Sequence, residues 1–113
     1  VVNPDSIRLA LYNEAFISSA EPFVWAIAKC MVKALFIAGH KTVILDATNT
    51  TIGRQDDWNG VAEDINATVK FKVFRTHAIE CMERATNDNK EFLIPVIQRM
   101  ALNWEDPPTE MCL

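Results

Sequence analysis

The chain has 113 residues, of which 50% are hydrophobic and 23% charged, and its net charge at neutral pH is −4. That length supports one modest core, and the acidic balance excludes a protein that coats nucleic acid through a broad basic surface. Lys29 and Lys33 interrupt the richest apolar stretch, so no membrane span is predicted.

Val1-Val2 reads as the end of a strand, so further sequence is expected upstream of it. Asn3-Pro4-Asp5 follows, with Asp5 placed to cap a helix running to about Asn13. A loop through Ser18-Ser19 leads to Pro22, a good first-turn residue. From there Phe23, Ile27, Cys30, Met31, Ala34, Leu35 and Ala38 recur at helical spacing, and Gly39 supplies the stop. This helix is apolar over much of its circumference. Thr42 to Leu45 is β-branched or aliphatic, which suits a strand buried on both faces, ending at Asp46. A helix from about Gly53 to Ile65 carries Trp58, Val61, Ala62 and Ile65 on one face. Thr68 to Arg75 alternates, with Val69, Phe71 and Val73 pointing one way and Lys70 and Lys72 the other. Helices at about Ala78–Thr86 and Ile94–Trp104 follow, and Pro107-Pro108 ends the regular structure. The order β-α-α-β-α-β-α-α predicts an α/β fold on a parallel sheet.

Two polar groups stand at predicted strand ends, where open α/β sheets bind ligands. Asp5 and Arg8 lie one helical turn apart; a carboxylate there can take a proton from a hydroxyl while the guanidinium holds a phosphate bidentately. The alternative is a capping Asp with an incidental ion pair. Asp46, Thr48 and Asn49 form the second group, read either as a carboxylate steering the water around magnesium with a substrate-touching loop, or as an Asx/Thr turn that caps a helix. His40 and His77 suit capping or solvent contact better than metal binding. Trp58 and Trp104 suit helix packing, with base stacking as the alternative. Glu80, Glu83 and Arg84 contain ordinary helix ion pairs.

Three stretches, VVNPDSIR, GHKTVILDATNTTIGRQDDW and FKVFRTHAIECMERATNDNKEFLIPVIQRM, together resemble the polynucleotide-kinase-like P-loop kinases of bacteria and phages. The resemblance implies a three-layer P-loop parallel sheet and transfer of the ATP γ-phosphoryl group to a hydroxyl, with ATP and magnesium as cofactors. Carried over residue by residue, it makes Asp5 the general base and Arg8 the clamp on a substrate phosphate. Asp46 becomes the carboxylate that holds magnesium through water, and Thr48, Asn49 and Arg54 become substrate contacts. Arg84 becomes the catalytic cation of a lid spanning about residues 84–95. The acceptor remains open among a nucleic-acid end, a nucleoside and another hydroxyl compound.

The chain departs from that pattern in one large respect. Its glycines are Gly39, Gly53 and Gly60, and none opens the G-x-x-x-x-G-K-[ST] loop that cradles phosphates. By the family's layout that loop and the central strand would lie upstream of Val1, leaving residues 1–113 as a single partial kinase domain. Alone it is expected to bind neither ATP nor magnesium tightly. The strands flanking the gap would pair directly, borrow a strand from another chain, or have the upstream part supplied separately; their apolar edges and the apolar helix from Phe23 to Ala38 lead to the expectation of a homo-oligomer. Cys30, Cys81 and Cys112 lack metal-like spacing and, with no signal peptide, read as reduced thiols of the cytoplasm. The second hypothesis is a non-enzymatic kinase remnant that works by binding or assembly.

Overall fold

A computed structural model describes residues 1–13 and 16–113. The described residues form five α-helices: α1 (Pro4–Tyr12), α2 (Glu21–Ile37), α3 (Ile52–Asp64), α4 (Ala78–Asn87) and α5 (Ile94–Leu102). Short 3₁₀ turns occupy Ser18–Ala20, Glu91–Leu93 and Thr109–Met111. Each helix begins and ends for a local reason. Asn3 has extended backbone and its side chain accepts from the N–H groups of Asp5 and Ser6, with Pro4 as the first helical residue. The cap of α1 is therefore Asn3 rather than the predicted Asp5. Gly39, at φ 102°, takes the left-handed turn after α2 that a side chain would resist. His77 opens α4 by accepting the Ile79 N–H at Nδ1, which bears out its reading as a capping residue. No helix of the described residues is long and apolar enough to cross a membrane.

Residues divide into two compact units, 1–48 with 61–67, and 49–60 with 68–113. In the first, α1 packs on α2 and the core is Val2, Ile7, Val24, Ala28, Val32, Val61 and Ala62. Most of these are small side chains, each Val contributing roughly 1.5–3 kcal/mol when fully buried. The buried face of α2 is thus Val24, Ala28 and Val32; of the predicted positions, Ile27 and Leu35 are half-buried, while Phe23, Cys30, Met31, Ala34 and Ala38 are exposed. In the second unit α4 packs on α5, and Trp58, Ala85 and Pro107 are buried.

The predicted parallel sheet is absent among the described residues. Pairing is confined to two isolated parallel bridges, Val2 with Leu45 and Phe71 with Cys112. The three-layer P-loop architecture is therefore corrected to a mostly helical chain. Local chemistry accounts for the short pairing. Past Val2 the chain turns at once into α1, and Pro4 has no N–H to continue a ladder. Past Phe71 the partner is only the end of the 3₁₀ turn at Thr109–Met111 and the residue beyond it. Nor is the 42–45 stretch buried on both faces, since Ile44 is 60% exposed. The alternation in 68–73 does survive: Val69, Phe71 and Val73 are half-buried while Lys70 and Lys72 are exposed.

Candidate functional site

The first bridge positions the polar residues of the first unit. The Val2 N–H donates to the Ile44 carbonyl at 2.8 Å, and the Asp46 N–H donates to the Val2 carbonyl at 2.9 Å. Because the two segments run parallel, both leave the pair at the same end. One delivers Asn3-Pro4-Asp5 and the start of α1; the other delivers Asp46. The Asn3 amide links them, accepting from the Asp5 N–H at 2.8 Å and donating to Asp46 Oδ2 at 3.4 Å. Asp46 thereby sits beside the N-terminus of α1, whose partial positive charge favours a carboxylate.

Arg8 lies one turn into α1 and is held from two sides. Its Nη1 donates to Asp5 at 2.6 Å, while Nε and Nη2 form a fork on Glu21 at 2.9 and 2.5 Å. The Glu21 bond raises the Arg8 pKa above its ordinary value, outweighing the desolvation that would lower it; the Asp5 bond adds in the same direction. The guanidinium is therefore a permanent cation. Exposure separates the partners: the Arg8 and Glu21 side chains are 12% and 17% exposed, whereas Asp5 is 76% exposed. A solvent-facing carboxylate thus lies against a fixed cation, with Asp46 and Thr48 both exposed. Such a group can take a proton from a bound hydroxyl, and the adjacent fork can hold an oxyanion if it exchanges with a carboxylate.

The remaining predicted residues belong to the second unit. Asn49 is half-buried, and its carbonyl accepts from Gln55 Nε2 at 3.1 Å. Arg54 donates its backbone N–H to Thr51 Oγ1 at 3.3 Å, and its side chain lies 3.9 Å from Asp57. The cap-like hydroxyl at the start of α3 is thus Thr51. Arg84 is exposed and paired to Glu80 at 2.7 Å, the helix ion pair anticipated for that segment.

Four residues that order these sites escape a reading by motif. Asn3 bridges Asp5 and Asp46, and its signal was present, an Asn immediately before a helix-starting Pro. Glu21 holds Arg8 from thirteen residues away, a pairing that no local spacing announces. Gln55, 2% exposed, ties the Asn49 and Glu105 carbonyls together, and the Glu105 carboxylate accepts the Ile52 N–H at the start of α3.

Among the described residues no group of three His, Cys, Asp or Glu gathers to hold a metal. Gly39 ends α2, and Gly53 and Gly60 lie within α3. A helix stop and two helical positions do not make a phosphate-wrapping loop, so these residues do not fit a nucleotide cradle. No family model, curated protein or solved structure matches the chain.

Proposed function

We propose that Asp5, Arg8 and Asp46 form the acceptor side of a phosphoryl-transfer site, and that the chain serves an ATP-dependent phosphotransferase of the polynucleotide-kinase-like kind. The supporting observation is the parallel bridge between Val2 and Leu45, which carries Asp5 and Asp46 to one end of the same pair and joins them through Asn3. Three residues singled out by motif from two distant stretches thereby lie within one small unit. In this reading Asp5 accepts the proton of the attacking hydroxyl, and Arg8 grips a phosphate already present on the acceptor. Asp46 keeps the end of the pair negative and hydrated. The three free cysteines are consistent with a reducing, cytoplasmic setting.

A second reading, a binding or assembly module without chemistry, is favoured by one observation. The outer face of α2 is apolar and bare, with Phe23 68% and Ile37 85% exposed.

The acceptor-site reading is tested with a nucleoside 3′-monophosphate, which offers a phosphate for Arg8 and a free 5′-hydroxyl for Asp5. Calorimetric titration of the whole chain should show binding that Arg8→Ala weakens about tenfold or more, since a hydrogen bond to a charged group is worth about 1.5–3 kcal/mol. Binding that ignores Arg8→Ala, or no binding at millimolar probe, would overturn it.

A further inference from the structure

The α2 helix presents apolar residues on two opposite faces, and only one of them is used within the chain. Val24, Ala28 and Val32 are buried, while Phe23, Ala26, Cys30, Ala34 and Ile37 form a continuous exposed stripe on the far side. Ala26, Lys29, Cys30, Lys33, Ala34 and Ile37 together make a shallow, open surface along this side of the helix.

The order of side chains in the stripe identifies its occupant. Measured from Cys30, the stripe falls at −7, −4, 0, +4 and +7, with large residues at the two ends and small ones between. The pattern reads the same in both directions. An antiparallel copy of α2 crossing at Cys30 would set Phe23 against Ile37, Ala26 against Ala34, and Cys30 against Cys30. Every large side chain then meets a large one at the ends, and the small residues let the backbones approach closely in the middle. An isologous two-fold interface requires this kind of self-complementarity, whereas an unrelated partner does not. We propose that the α2 stripe is a homodimer interface, closed by the same helix of a second copy running antiparallel.

Its area sets its strength. Five side chains, two of them large, supply on the order of 400 Å² per partner, about half of a standard interface. The dimer is accordingly a weak, concentration-dependent one. Charge sets its salt response. The two-fold places the Lys29 and Lys33 flank of one helix beside the same flank of the other. Lys33 is partly neutralised by Asp64 at 3.3 Å, whereas Lys29 forms no such pair among the described residues. The net like-charge contact weakens the pair at low ionic strength, so salt should tighten it severalfold between about 0.01 and 1 M. This proposal stands apart from the phosphotransfer reading, and its test does not use phosphate.

Sedimentation equilibrium of the whole chain decides it, run from about micromolar to hundreds of micromolar, the range of a small interface. The expected mass climbs from 12.8 kDa towards twice that value. Ala34→Glu, in the middle of the stripe, and Ile37→Lys, at its end, should each hold the chain monomeric with unchanged helix content. Gln98→Glu on α5 should dimerise like the parent. With Cys81 and Cys112 replaced by Ser, a short bismaleimide should join two chains through Cys30. A monomer at every concentration, dimers that survive both stripe variants, or salt-induced dissociation would each overturn the proposal.

Discussion

Asp106 shows what a surface carboxylate gains from two donors. Trp104 Nε1 donates to it at 2.7 Å and Arg75 Nη1 at 2.9 Å. The Trp104 bond, then the Arg75 bond, hold its pKa below the ordinary aspartate value. A depressed folded value means that the unfolded state binds the proton first as pH falls. The stability from this carboxylate is therefore complete above the unfolded value, about pH 4, and is lost as pH drops through the lower folded value. Asp106→Asn should lower the denaturation midpoint at neutral pH and lose that difference in acid; a difference that persists unchanged at about pH 2 would contradict the bond. Residues of this kind were half legible in the sequence. Trp104 and Asp106 lie two apart and could be read together, but Arg75 comes from a distant stretch. Arg8 is the same case: its ion pair with Asp5 follows from helix geometry, while its fork on Glu21 follows only from how α1 packs on α2.

The helices were the legible elements, because caps and breakers are local. The five predicted helices lie within a few residues of those observed, punctuated by Pro4, Pro22, Gly39, His77 and Pro95. Faces and pairings were less legible. α2 is apolar on most sides, so periodicity could not say which stripe is buried. The segments 42–45 and 68–75 carry strand-like residues, yet pairing is a non-local event and each finds a partner at only one residue. Asn3 shows how an element end and a site coincide, since one side chain caps α1 and touches Asp46. Asn3→Ala should cost about 1 kcal/mol of stability, the usual value of a lost N-cap, and Asn3→Ser should recover most of it. Urea denaturation of the three proteins checks this; equal midpoints for Asn3→Ala and the parent would mean that the cap contributes nothing.

For the whole molecule, the net charge of −4 repels a phosphate at long range, so the proposed acceptor site would depend on a local cation. In the first unit the cation so placed is Arg8, beside a solvent-facing carboxylate and at the end of the parallel pair. The second unit has an ordering centre of its own in Gln55, whose two N–H bonds fasten the loop before α3 to the carbonyl of Glu105. Nuclear magnetic resonance can follow acceptor-phosphate binding to the proposed site of the first unit, through the Arg8 Nε–Hε signal of the labelled chain during titration with a nucleoside 3′-monophosphate. This signal should shift together with the backbone amides of Asn3, Asp5 and Asp46 and saturate at one common concentration. An Arg8 signal that stays in place while shifts appear elsewhere, or no shift anywhere, would contradict the proposed site.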